Sequence, residues 1–545
     1  MEADPERSQG LFKFGLKSVE TDVRAEKKPR LDWGRSFGLN AATDEAPISK
    51  RKARKAKYDA LPEACTPDDI LWREINVILG KDYVDQALLE GTERESPFEY
   101  HDEAEFEVVA MSSTGSGLAT SAGSSRPWVT VIPFVLPGER VRARVYRNAR
   151  MHSSADLIGV LEPNSELRDN LGVKCKYFTS CGGCQYQMVP YARQLEFKRE
   201  VLVKAYDNYA EMPATAIPTI ESTMPSPLQY NYRTKLTPHF EAPSRNQIKE
   251  ELDYLGTDER PEWFNIGFNG VGTHKVMDIE DCPIATPIIR ETLPAVRANA
   301  IKNCFTYYKG VSLILRDSLP QPGAVDVGAL VSDVEKHVCL TDHRATARER
   351  VGSYLFEYPN GSFFQNNNCV LPSLTSYVES RIFDADKSGS LRPTHLVDTY
   401  CGAGLFAITL ASHFDTVVGI ELSAESIRAA THNAALNAIP SSKIKFRAGD
   451  ATEIFRTVAS FPPKETVVVI DPPRKGCDWA FLKQLLEFGP RTVVYVSCNV
   501  HTQARDVGMM VNLGGYVLES VRGFDLFPQT AHVESVAVLR LVDDK

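Results

Sequence analysis

The sequence predicts an α/β protein: a doubly wound, mostly parallel sheet, preceded by a small β-barrel and a mixed α/β region. Two observations carry this. Over residues 393–545, "THLVDTY", "TVVGIEL", "KIKFRAGD", "TVVVIDPP", "TVVYVSCN" and "SVAVLRL" have the character of buried strands, and helix-like stretches such as "AESIRAATHNAALNA" (424–438) separate them. Alternating β and α units of this kind build parallel sheets covered on both faces. Over residues 104–166 the period changes. There "FEVVAMSS", "PWVTVIPFVLPGERVRARVYRN" and "DLIGVLEP" are short strands broken by Gly, Ser and Pro, the pattern of a small barrel.

A chain of 545 residues is too long for one ordinary core, and it divides into five stretches. Residues 1–60 mix charge, Gly and Ser and are expected to be a disordered basic tail. Residues 61–103 hold helical spacing that begins after Thr66-Pro67-Asp68. The barrel occupies 104–167, with a Gly/Ser-rich interruption at 113–125. Residues 168–350 are mixed and show no clear topology, and 351–545 form the sheet domain.

The net charge is −9, but residues 1–57 hold 14 Lys/Arg against 9 Asp/Glu, leaving −14 on the rest. An acidic body excludes a bulk nucleic-acid coater; any binding field must be local. "KKPR" (27–30) and "KRKARKAK" (50–57) resemble nuclear-import signals, or form a solvated tail. No apolar run approaches the ~18 residues of a membrane span, and "MEADPERSQG" is not a secretory leader. The expected location is therefore nucleus or cytoplasm, without a membrane. There eleven cysteines are packed thiols, metal ligands or nucleophiles rather than disulfides. In the barrel, Arg140, Arg142 and Arg144 alternate onto one strand face, which fits a solvated face or an RNA-contacting one.

"HLVDTYCGAGLFAITLA" (395–411) is a strand, a glycine turn and a helix. Gly402 and Gly404 allow a tight turn and close ligand approach. Twenty-one residues after Tyr400, Glu421 ends the next strand, where an acid can accept both hydroxyls of a ribose. Asp450 follows the third strand, where an adenine amine is often met. The turn lacks the full G-x-G-x-x-G of dinucleotide sites, since Ala407 stands at its last position. The order of these features favours S-adenosylmethionine over NAD.

"VVVIDPPRKG" puts Asp471 at the carboxyl end of the fourth strand, with Arg474 where amine-directed methyltransferases carry a stacking aromatic. Cys498 ends the fifth strand in "VSCN". Uracil C5 is a poor nucleophile. A thiolate adding to C6 makes C5 reactive, and a base must then remove the C5 proton. Glu534, just before the last strand, is the candidate base and His532 the runner-up. A packed thiol and a solvated carboxylate are the plain alternatives for Cys498 and Glu534.

"GSFFQNNN", "DTYCGAG", "GIE", "DPPRKG", "VSCN" and "HVESV", in this order, resemble the RNA uracil-C5 methyltransferase family over residues 104–545. The resemblance implies a Rossmann-like class I S-adenosylmethionine methyltransferase domain, and that the barrel is the family's TRAM-like RNA-binding domain. It implies that Gln365, Tyr400, Glu421 and Asp471 contact the cofactor or position the substrate, that Cys498 is the nucleophile and that Glu534 is the base. RNA cytosine-C5 enzymes carry a second cysteine directly after the fourth-strand Pro; Cys477 lies too late to match.

Cys175, Cys181 and Cys184 are spaced C-x5-C-x2-C, and Cys282 precedes a proline much later. Four such thiols suit a [4Fe–4S] cluster, a zinc ion or a thiol-rich core; the resemblance favours the cluster, because family members with this spacing bind one. With a basic tail suggesting a eukaryotic enzyme, the expected partner is tRNA, methylated at the T-loop uridine, position 54, by a monomer. A ribosomal RNA uridine and a non-catalytic RNA chaperone are the alternatives.

Overall fold

The structure is a computed structural model and describes residues 61–249, 254, 259–321, 336–383, 392–449 and 454–542. The tail 1–60 with its two basic runs, and Asp450, lie outside the described residues. Residues 62–545 form one compact unit.

The first helices are α1 (Pro67–Leu79) and α2 (Lys81–Glu90). Thr66 caps α1, its side chain accepting from the Asp69 N–H, with Pro67 at the first position and two aspartates in the first turn. Each of these satisfies or complements the free N–H groups of a helix start.

Five strands follow: β1 (Glu103–Met111), β2 (Ser116–Thr120), β3 (Val129–Pro133), β4 (Arg140–Asn148) and β5 (His152–Glu162). They close a barrel in the order β1-β2-β3-β5-β4. β2 lies inside the Gly/Ser-rich stretch that the sequence presents as an interruption. Its small residues fit because the barrel interior is full: a Cβ on Gly117 would meet Val135 Cγ2 at 2.3 Å. On β4, Val141, Ala143 and Val145 point inward and are fully buried. On its outer face Arg140 pairs with Glu105 and Glu162, and Arg144 with Glu103. Two of the three arginines are thus neutralised across the strands, and the face is largely an ion-pair ladder.

The central region supplies the long helix α3 (Tyr191–Tyr209), strand β6 (Glu221–Met224), short strands β7 (Lys235–Leu236) and β8 (His239–Phe240), and helix α4 (Pro287–Lys302). Then come β9 (Val311–Ser312), β10 (Leu315–Ser318), β11 (Val338–Leu340) and the hairpin β12 (Thr346–Val351) and β13 (Tyr354–Pro359). They form small sheets β11-β10-β7, β8-β9 and β12-β13.

The main sheet follows α5 (Leu371–Phe383). In chain order it contains β14 (His395–Thr399), α6 (Leu405–Leu410), β15 (Thr416–Glu421), α7 (Ala424–Leu436), β16 (Ile444–Ala448), β17 (Thr466–Ile470), α8 (Trp479–Phe488), β18 (Thr492–Ser497), α9 (Val500–Gly514), β19 (Tyr516–Phe524) and β20 (Glu534–Leu541). The strand order is β16-β15-β14-β17-β18-β20-β19-β6. β14 to β18 are parallel, and β20 runs antiparallel between β18 and β19. The central strands are buried on both faces, Val467 to Ile470 being fully so, as a doubly covered parallel sheet requires. The order reverses between β14 and β17, so the ligand crevice falls at their carboxyl ends.

Candidate active site

Four strand ends meet at this crevice. After β14, Tyr400 and Gly402 have φ of 60° and 52°, and Gly404 has 93°. A Cβ on Gly404 would meet Ile408 Cδ1 at 2.9 Å, so this turn is closed to larger residues. Asp398 braces it from below: the carboxylate accepts the Ala407 N–H at 2.8 Å while its other oxygen has no partner. Burial pushes Asp398 up to about 8. Glu421, at the end of β15, accepts the Gly402 N–H at 3.3 Å and the Ser423 N–H at 2.9 Å. Each oxygen keeps acceptor capacity, which fits the hydroxyl pair of a ribose. Gln365 is half-buried and its side chain makes no hydrogen bond among the described residues, leaving its amide available. Tyr400 is half-buried, its ring 5.6 Å from that of Phe481.

The register of β18 on β20 sets the second half of the site. Ser497 lies opposite Ser535, so Cys498, the residue that follows β18, comes level with Glu534, whose charge acts on it. Glu534 is 1% exposed and neither carboxyl oxygen has a hydrogen-bond partner. A buried carboxyl without donors is costly and prefers to be neutral. Burial and then the Asp471 charge push Glu534 well above the carboxylate range, with Arg474 opposing. Burial lifts Asp471 itself to about 7. Cys498 is half-buried and is raised to about 11 by burial, then by Glu534 and Asp471; Arg474 acts against them. One thiol, two carboxyls and one guanidinium therefore share a single electrostatic neighbourhood. His532 is exposed, its backbone N–H donating to Thr530 Oγ1.

The two loops that carry these groups are tied together. The Asn499 side chain accepts from the His501 N–H as the cap of α9 and donates to the Arg474 carbonyl at 2.8 Å. Cys477 is buried behind, its N–H on Asp506 at 2.8 Å.

Sequence reading missed what holds the loop ahead of Glu534. Lys198 on α3 and Asp525 form a fully buried ion pair. Lys198 also donates to the Phe527 carbonyl at 2.9 Å, and Tyr191 donates to Asp525 at 2.9 Å. Gln194 and Gln529 exchange hydrogen bonds of 3.0 Å, and the Gln185 and Tyr186 N–H groups donate to the Gln529 carbonyl. The one available signal was a lysine among the buried positions Gln194, Phe197, Val201 and Leu202 of α3.

Cys175, Cys181, Cys184 and Cys282 come together elsewhere, lining a cavity of about 180 Å³ with Phe178 and Phe268. Burial raises Cys184 to about 12 and Cys282 to about 11. Among the described residues, no three His, Cys, Asp or Glu side chains are close enough to hold one metal ion. The thiols surround a space instead of converging on a point, which does not suit tetrahedral zinc with Zn–S bonds of about 2.3 Å.

The family model described as tRNA (Uracil-5-)-methyltransferase matches residues 324–542. A Schizosaccharomyces pombe protein named tRNA (uracil(54)-C(5))-methyltransferase is 40% identical over 499 residues, covering 91% of this chain and 86% of the relative. The chain belongs to this family. A Saccharomyces cerevisiae member of the uracil-5-methyltransferase family, with the same name, is 33% identical over 551 residues, covering 92% of this chain and 84% of its own. The crystal structure of the Pyrococcus abyssi tRNA (uracil-54, C5)-methyltransferase with S-adenosyl-L-homocysteine superposes with a TM-score of 0.53 at 22% identity, over 80% of this chain and 99% of that one. It shares the fold. Among the described residues no helix is long and apolar enough to cross a membrane.

Proposed function

We propose that this protein methylates C5 of the T-loop uridine of tRNA, position 54, with S-adenosylmethionine as the second substrate and a covalent Cys498 adduct as the intermediate. The observation that carries the reading is Cys498 level with the unpartnered, buried Glu534, beside Asp471. The relatives named for uracil 54 support the choice of nucleotide.

Glu421, Tyr400 and Gln365 hold the methyl donor across the crevice, and Asp471 positions the reacting groups. The donor supplies an electrophilic methyl group. The Cys498 thiolate adds to C6 of the uracil, and the C5–C6 electron pair moves to C5 and O4. C5 then forms a bond to the methyl carbon as the donor's S–CH3 bond breaks, and S-adenosylhomocysteine leaves with that electron pair. Glu534, having released its own proton to solvent, removes the C5 proton; the electrons return to C5–C6 and the thiolate leaves. A base whose burial raises its proton affinity suits this abstraction.

The five-stranded barrel acts as a TRAM-like RNA-binding module. The four cysteines that line the cavity would hold a [4Fe–4S] cluster with a structural or RNA-positioning role, since methyl transfer needs no electron. The basic runs of the tail direct the protein to the nucleus, with the cytoplasm as the other location.

Replacing Cys498 by Ala is expected to abolish 5-methyluridine formation in a tRNA transcript while leaving tRNA affinity within about twofold, a change of under half a kcal/mol. Full residual methylation would rule the nucleophile out.

A further inference from the structure

The sheet domain and its neighbours carry an excess of acid, so an RNA backbone needs a local positive site. Residues 232–236 provide one. Tyr232, Thr234 and Leu236 are buried, and the alternation sets Arg233 and Lys235 together on the opposite, half-open face. The stretch lies against the loop that carries Gln365: the Thr234 N–H donates to the Asn366 carbonyl at 2.9 Å. The Lys235 ammonium lies 3.4 Å from both the Gly361 and Ser362 carbonyls. Buried Arg316 donates to the same Ser362 carbonyl at 3.0 Å. Arg233 donates through Nε to the Lys235 carbonyl at 3.0 Å, and its two terminal NH2 groups have no acceptor among the described residues. Neither Arg233 nor Lys235 has a carboxylate partner among those residues.

Two half-exposed cations side by side repel one another, and an anion between them would relieve that repulsion; Arg316 behind them is paired with Glu349. Burial and then the charges of Arg316 and Arg233 already push the Lys235 ammonium down. Tyr232, next to Arg233, donates to the Pro528 carbonyl at 3.0 Å, which ties the stretch to the loop that leads into Glu534.

We propose that Arg233 and Lys235 together bind one backbone phosphate of the RNA substrate and so fix the target uridine over Cys498. This rests on the reading of the site as an RNA methyltransferase. The planar Arg fork takes two phosphate oxygens and the Lys ammonium acts as a point charge. Arg233 also borders the four-cysteine cavity, so a role as counter-charge to those thiols is the rival.

The test is the salt dependence of tRNA binding to the full chain, wild type against Arg233→Gln/Lys235→Gln, with S-adenosylhomocysteine affinity measured alongside. Losing one phosphate contact should flatten the slope of log K against log salt by about 0.7–0.9 and leave S-adenosylhomocysteine binding unchanged. Lys235→Arg should keep the wild-type slope. If the double variant loses S-adenosylhomocysteine binding through a disturbed loop, Arg233→Gln alone decides, with a smaller flattening expected. An unchanged slope in a variant that folds would overturn the proposal, including where only iron content or thiol reactivity changes. Wild-type protein that does not bind tRNA would overturn the functional reading as well.

Discussion

Cys498 is at rest a poor nucleophile by design of its surroundings. Burial, Glu534 and Asp471 lift its thiol to about 11, and only the thiolate attacks. Below that value the thiolate fraction rises about tenfold per pH unit, so iodoacetamide should alkylate Cys498 roughly a hundredfold faster at pH 9 than at pH 7. The sign can be checked with Asp471→Asn. Asp471, at about 7, is ionised at pH 9 and its charge raises the thiol. Removing it should lower the thiol's pKa and speed alkylation at pH 9 while slowing methyl transfer. Mass spectrometry of the labelled peptide reads the first and 5-methyluridine formation the second; alkylation slowed by Asp471→Asn would contradict the electrostatic picture. At this scale the sequence was informative where chemistry sits at strand ends. Cys498, Glu421 and Asp471 each close a run of apolar residues, so their placement followed from the α/β pattern. That Glu534 lies buried without a partner did not, because burial depends on which strand lies beside it.

The elements show why some were legible and others not. β15, β17 and β18 announce themselves as nearly unbroken apolar runs, because a parallel strand covered on both faces tolerates little else, whereas β16 at the sheet edge reads IKFRA and is mostly exposed. β19 carries Glu519 and Arg522 among its apolar residues, and β6 is four residues long. Neither has enough pattern to distinguish it from a loop, yet both extend the same sheet. β2 was hidden by its Gly and Ser content, which the packed barrel interior demands. The Arg140–Arg144 face reads as basic only until the partner strand is known; Glu103 and Glu105 come from β1. The start of α9 carries a prediction. Asn499 both caps this helix and holds the Arg474 carbonyl. Asn499→Ala should lower stability by about 1 kcal/mol, the usual loss for such a cap, and reduce turnover because the loops carrying Arg474 and Cys498 part. Urea unfolding and single-turnover methylation together test this; a stability loss with unchanged turnover would confine Asn499 to the helix.

Across the whole molecule, the central region holds the loop ahead of Glu534 in place. Lys198 and Asp525 are 327 residues apart, and no local pattern could have joined them. Their ion pair is fully buried, so removing one partner leaves an uncompensated charge. Lys198→Met should cost about 3–5 kcal/mol, whereas Lys198→Met with Asp525→Leu should recover much of that. Denaturant midpoints of the two variants decide; equal losses would show that the charges are not coupled. α1 bridges in the same manner on the other side. Its Glu74 accepts the Ser113 N–H from the barrel at 2.9 Å, and its Arg73 donates to the Asn208 carbonyl just before the end of α3 at 2.7 Å. Barrel, central region and sheet are thus joined through contacts far apart in the chain.

The central claim is a covalent bond between Cys498 and C6 of the target uracil, released by Glu534. Incubating the Glu534→Gln protein with S-adenosylmethionine and a tRNA transcript, then running a denaturing gel, tests it directly. A slower protein–RNA band is expected, whose digest contains Cys498 joined to a C5-methylated uridine. Absence of that band, with 5-methyluridine formed at the wild-type rate, would contradict it.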